Sequence, residues 1–167
     1  DVRLRRIPAQ KTAGGRLWRK RAPMHTDINK SLKFLNKYKF NTDVGVVLGS
    51  GWESFSRLVK DKTEIPFEKI PHFPLPKVLG HKGTFIFGKI NNRKVFILQG
   101  RAHYYEGLPI ERIVYPFKVL FALGVRKIIL TAACGAINPK LNVGDLVLIK
   151  DHINLMGINP LIGGSNF

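Results

Sequence analysis

The chain has 167 residues, 44% of them hydrophobic, and its 28 Lys+Arg against 11 Asp+Glu give a formal charge of +17. That length suits one domain with a sizeable core, while the apolar runs, such as 44–48 and 119–123, fall far short of the roughly 18 residues that span a membrane. A lone cysteine, Cys134, excludes a disulfide scaffold and weakly suggests a reducing compartment, so the charge is the one anomaly, and it fits nucleic acid, an anionic surface or a phosphorylated ligand.

Seven of the seventeen excess charges sit in residues 1–23, where eight basic residues face Asp1 alone. This segment has Gly14-Gly15, no apolar periodicity and no continuous apolar stretch of a secretory signal, so it reads as a disordered basic extension ahead of a domain over 24–167. An organelle transit peptide, a nucleic-acid-binding arm and a non-native segment before a start at Met24 all fit it. The shortage of Ser and the missing initial Met favour the last.

From Thr26 or Asp27, Ile28, Leu32 and Leu35 fall at helical spacing and predict a surface helix with one buried face. The apolar run Val44–Leu48 ends in Gly49-Ser50-Gly51, after which Trp52, Phe55, Leu58 and Val59 take up helical spacing: strand, glycine turn, helix. Residues 66–76 hold four prolines and read as an extended loop. Thr84–Ile90 and Lys94–Leu98 form a hairpin across Asn91-Asn92-Arg93. Pro109 opens a helix along Ile110, Ile113, Phe117, Leu120 and Phe121 that Pro116 should kink. Val125–Leu130 and Leu146–Ile149 read as two more buried strands. Strands alternating with helices give an α/β fold with a mixed, mostly parallel central sheet.

In such a sheet, ligands collect at the carboxyl ends of the strands. Gly49-Ser50-Gly51 sits at one such end, where glycines admit backbone N–H groups to an anion and the Ser hydroxyl adds a donor. In Gln99–Gly107, Arg101 and His103 alternate, so an extended backbone points them to one side as a two-pronged anion clamp. Thr131–Gly135 is small enough for its main chain to approach a ligand, and His81 lies between Gly80 and Gly83. A short Gly-Ser-Gly turn alone is more often only a turn, and a surface Arg with a capped His is an ordinary pairing. His72, His81, His103 and His152 lack metal-ligand spacing, and no Walker loop or dinucleotide fingerprint is present.

Taken together, Val47-Leu48-Gly49-Ser50-Gly51, Ile65-Pro66, Ile70-Pro71-His72-Phe73-Pro74, Gly80-His81-Lys82-Gly83, Gln99–Gly107, Asn138-Pro139, Val143-Gly144-Asp145, Asp151-His152-Ile153-Asn154 and Asn159-Pro160-Leu161 closely resemble the trimeric class of purine nucleoside phosphorylases. The order and spacing agree from about Asn41 onward. The resemblance implies a homotrimeric cytoplasmic glycosyltransferase of purine salvage that uses phosphate to cleave a purine (deoxy)ribonucleoside into free base and (deoxy)ribose 1-phosphate. It implies no cofactor and no metal, inorganic phosphate being a co-substrate, and neither membrane nor nucleic acid as a partner. It assigns phosphate to Ser50, His81, Arg101, Ala102, His103 and the main chain at Ala133, and the ribose to Tyr105. No catalytic residue is assigned within the segment.

In the family, the Glu and Asn that read the purine, a further phosphate Ser and a ribose His lie downstream of the matched segment, so this chain is expected to be an N-terminal portion with little or no turnover alone. Ala132, Cys134 and Ala136 replace the family's Asn, Ala and Gly in the segment after Thr131. A methylthioadenosine phosphorylase of the same fold is the close alternative. From another class comes a basic nucleic-acid-binding protein, against which the basic residues of 24–167 look scattered along the sequence.

Overall fold

A computed structural model describes residues 24–76 and 83–162. The basic extension over 1–23 therefore lies outside the described residues, as does His81.

Helix α1 (Met24–Leu35) is followed by a short 3-10 turn and then β1 (Val44–Leu48). Next come a 3-10 helix over Glu53–Leu58, β2 (Lys60–Pro66), β3 (Thr84–Ile90) and β4 (Arg93–Gln99). The chain continues through a 3-10 turn over Tyr104–Glu106, α2 (Ile110–Ile113), α3 (Tyr115–Ala122) and β5 (Lys127–Leu130). The five strands form one mixed sheet in the order β2-β3-β4-β1-β5. Parallel pairs join β1 to β4 and to β5, antiparallel pairs join β3 to β2 and to β4, and so β3 alone runs against the other strands.

Alternation along the strands makes two cores. Val47, Phe85, Phe96 and Leu98 face α1 and α3 and pack with Leu35, Tyr115, Val119 and Leu120. Val46, Leu48, Ile86, Val95 and Ile97 face the opposite way, onto Val59, Trp52 and Phe55. The hairpin turn has both Asn91 and Asn92 at positive φ, 48° and 65°, the backbone of a two-residue turn that asparagine tolerates.

Four expectations need correction. The segment after Gly51 is a 3-10 helix rather than an α-helix; Trp52, Phe55 and Leu58 recur every third residue, which matches three residues per turn. Residues 66–76 are more than an extended loop: they include a 3-10 turn, and Phe67, Ile70 and Phe73 are buried in the main core. Strand β2 has no counterpart in the apolar pattern because it is an edge strand whose only buried residue is Ile65; its charges guard an open edge. Leu146–Ile149 forms no strand and is exposed, and Ile129 and Leu130 of β5 are exposed too. A continuous apolar run becomes a buried strand only where something covers both faces, and the described residues supply no such cover. As expected, the helix after Pro109 is interrupted, at Val114 just before Pro116.

A buried polar chain ties the helical layer together. Tyr115 donates from its hydroxyl to Ser31 Oγ at 2.7 Å, and Ser31 donates onward to the Pro71 carbonyl at 2.5 Å. Both side chains are essentially inaccessible to water, so each group depends on the other. Burial holds the Tyr115 phenol above its ordinary value of 10.0. Ser31→Ala should cost about 1–3 kcal/mol in urea unfolding, and Ser31→Ala/Tyr115→Phe less than the sum of the single changes. Because the folded-state phenol titrates higher than the unfolded one, its contribution is complete below about pH 10 and is lost as pH rises through the folded value. An unfolding series from pH 8 to 11 should show that loss, and Tyr115→Phe should flatten it.

Candidate functional site

The register of the parallel strands sets the site. Leu48 pairs with Gln99, and Val47 with Leu130, so the chain leaves β4, β1 and β5 side by side at their carboxyl ends. Gly49-Ser50-Gly51, Gly100–His103 and Thr131–Ala133 therefore emerge next to one another. The structure brings together the three segments that the sequence singled out.

Thr131 connects them. Its N–H donates to the Val47 carbonyl at 3.0 Å, continuing the β1–β5 ladder by one residue. Its Oγ1 accepts from the Gly49 N–H at 2.9 Å, and its carbonyl accepts from Arg101 Nη1 at 3.2 Å. Arg101 thus reaches across the end of β1 to β5. One of its five N–H donors is committed to orientation, and a planar guanidinium keeps others for an anion. Gly49 is required by this approach: a Cβ there would lie 2.4 Å from the Thr131 carbonyl oxygen.

Ser50 occupies an exposed turn closed by Trp52 N–H donating to the Gly49 carbonyl at 3.2 Å, with Gly51 at φ +85°. The Gly51 N–H donates to Glu53 Oε1 at 3.3 Å, so an internal carboxylate holds a backbone donor of this loop. The helix beyond is six residues of 3-10 type, so the dipole it offers at this turn is short.

Ala102 is buried at the end of β4 and turns the chain, while His103 caps the following 3-10 turn. Glu106 Oε1 accepts from the His103 N–H at 2.6 Å and lies 3.1 Å from Nδ1, fixing the imidazole against a carboxylate that is itself almost fully buried. Tyr105 stacks on the imidazole, centroids 4.9 Å apart and planes at 16°, and is 75% exposed. Beside it, Tyr104, Tyr105, Gly107, Leu108 and Pro109 line an open concavity. Ala133 and Cys134 are exposed beyond Thr131.

Glu106 and Thr131 are the two residues that sequence reasoning did not assign roles. Glu106 was detectable as a carboxylate three residues after a capping position; the bridging role of Thr131 needed the strand order. Among the described residues no cluster of His, Cys, Asp or Glu could hold a metal ion, and no helix is long and apolar enough to cross a membrane.

Fold and site together define an α/β protein in which the Gly49 turn, Arg101 and Thr131 form a cradle across the ends of three parallel strands. The family model of the phosphorylase superfamily matches residues 43–166, and the chain belongs to that family. Purine nucleoside phosphorylase 1 of Geobacillus stearothermophilus is 40% identical over 139 residues, covering 83% of this chain and 51% of that protein. Purine nucleoside phosphorylase of Rattus norvegicus is 37% identical over 143 residues, covering 83% of this chain and 50% of that protein. A crystal structure of Schistosoma mansoni purine nucleoside phosphorylase in complex with BCX-34 superposes with a TM-score of 0.74 at 38% identity, covering 84% of this chain and 53% of that one. Isoform 2 from the same organism, in complex with cytosine and ribose-1-phosphate, gives 0.76 at 35% identity, covering 85% and 51%. The chain spans about half the length of the curated relatives it matches.

Thr131→Val keeps the shape but removes the acceptor for the buried Gly49 N–H. It should lower unfolding stability by about 1–3 kcal/mol. Gly49→Ala should be the more damaging of the two, because the clash is with backbone rather than with a side chain that can rotate; parallel thermal melts check the order.

Proposed function

We propose that this chain carries the phosphate-binding part of a purine nucleoside phosphorylase, the enzyme that transfers the (deoxy)ribosyl group of a purine nucleoside to phosphate. The observation that supports it most is the bond from Arg101 to the Thr131 carbonyl, because the same Thr131 also holds the Gly49 N–H and so ties a fixed guanidinium to the glycine turn and to the segment that leads to Ala133. Arg101 and His103 would clamp the phosphate, with Ser50 and the main chain at Ala133 donating to it and Ala102 setting the turn between the two clamping residues. Tyr105 would pack on the ribose. His81 would approach from the segment outside the described residues.

Breaking the glycosidic bond builds positive charge on the sugar and negative charge on the departing purine. A phosphate dianion held under the ring stabilises that cation and then captures it at the anomeric carbon. The holder must be cationic without being an acid, and a guanidinium is both. Glu106 serves this step indirectly, by fixing the ring of His103. No cofactor is needed, since the phosphate is a co-substrate and the bond change is a displacement. The reading extends to purine salvage in the cytoplasm by a homotrimer, supported by the resemblance.

The test on this chain is phosphate binding by calorimetry. Phosphate should bind, and Arg101→Lys, which keeps the charge but loses the planar fork, should weaken it about tenfold, or about 1.4 kcal/mol. Absence of phosphate binding, or indifference to Arg101→Lys, sinks the reading. Supplying inosine and methylthioadenosine in parallel with phosphate, and following base release, separates the two substrate classes.

A further inference from the structure

The charge excess of the chain is not used by a site that holds one phosphate, and the fold gathers part of it elsewhere. At the end of the sheet opposite the strand termini just described, Lys60 pairs across to Lys89, and Lys89 to Lys94. Three lysines therefore lie abreast on β2, β3 and β4. Like charges directly opposite one another destabilise a sheet. Arg93 stands next to Lys94 at the hairpin. Among the described residues Asp61 is bonded to Lys89 at 2.9 Å, and nearby Asp43 is bonded to Lys127 at 2.9 Å.

An aromatic surface adjoins the lysines. Phe40 stacks on Phe87 at 4.3 Å, and Thr42 Oγ1 donates to the Lys94 carbonyl at 2.7 Å, which lays residues 38–42 along the hairpin. Phe87 lies two residues before Lys89 on β3 and opposite Phe96 on β4, so Lys89 and Lys94 share the face on which Phe40 stacks. Tyr38 stacks on Phe40 at 5.2 Å and 14°, and remains 43% exposed, with Lys39 beside it. Lys39, Lys60 and Lys94 make no ion pair among the described residues.

We propose that this end of the sheet binds single-stranded nucleic acid, with Tyr38 as the stacking platform for a base and Lys39, Lys89 and Lys94, flanked by Lys60 and Arg93, on the backbone phosphates. Cations alone would suit any polyanion; a half-exposed aromatic ring next to Lys39, stacked on the Phe40 that packs against the hairpin, suits one that carries flat bases. The basic residues that look scattered in the sequence are assembled here by strand register. This surface acts independently of the phosphorolysis reading and departs from the expectation that nucleic acid is no partner.

The experiment is fluorescence anisotropy of a labelled 20-residue oligothymidylate with the full 167-residue chain at about 50 and 200 mM salt. Binding should weaken steeply with salt, the logarithmic slope being about −0.7 for each phosphate engaged. Tyr38→Ala should weaken it about 5- to 100-fold while leaving heparin, a polyanion without bases, unchanged. Lys39→Gln/Lys94→Gln should make the slope shallower by about 1.4, with a thermal midpoint no lower than the parent because repulsion is relieved. No binding overturns the proposal. So does binding that neither variant changes, which would assign it to residues 1–23, and so does a preference for duplex DNA or for phosphatidylserine vesicles over the oligonucleotide.

Discussion

Strand β1 is the constraint on which the site depends, because among the described residues it alone has a parallel neighbour on each edge. Parallel pairing sends three chains out of the sheet in the same direction, and the register decides which residues meet there. A slip of one residue would exchange Val46 and Leu48 with Val47, reversing which core each occupies. The two faces therefore fix the register, and the register fixes the separation of Gly49, Arg101 and Thr131. Preorganisation of the cradle is in this sense a by-product of core packing. The short loops need to hold little by themselves, since the Thr131 hydrogen bonds to Val47 and Gly49 extend the ladder into the site.

Much of this was legible from the residues. Val44–Leu48 and the hairpin of Thr84–Ile90 showed themselves through apolar runs with turn-forming residues at their ends, since a strand buried on both faces has no other composition open to it. Strand β2 was not legible because an exposed edge does not require apolar residues, and only Ile65 there is fully buried. The chemistry divides the same way. Ser50, Arg101 and His103 are polar residues at the ends of recognisable strands and could be picked out singly. The bridge from Arg101 to Thr131 joins residues thirty positions apart and exists only once β1 has been placed between β4 and β5.

The opposite failure, at Leu146–Ile149, is also physical. Composition reports what a segment requires, not whether it is met. Ile137, Leu148 and Ile153 are at least 85% exposed, and Ile129 and Leu130 of β5 more than half. An apolar surface this continuous is stabilised by contact with another surface. The wall of the site at Ala133 grows from this same stretch, so its shape depends on the ordering of 131–135 more than do the walls built on β1 and β4. Arg101 is then anchored at its own end by the sheet and at its far end by the first residue of the less supported segment.

The lysine row and Arg101 are separated by distance. Strand β4 has seven residues, which at about 3.3 Å each puts roughly 20 Å between the lysine row at one end and Arg101 beyond the other. The Debye length at physiological salt is about 8 Å, so the field of the exposed lysines is largely screened before it reaches the cradle. Arg101 is tethered to the Thr131 carbonyl, while Glu106 holds His103 and Glu53 holds the Gly51 N–H. On the proposed reading the cradle would owe its selectivity to direction, through a guanidinium tethered to the Thr131 carbonyl. The far end has the reverse character: many cations, few partners and weak directionality. On the two proposals, a single small dianion would use the first arrangement and an extended chain of phosphates the second.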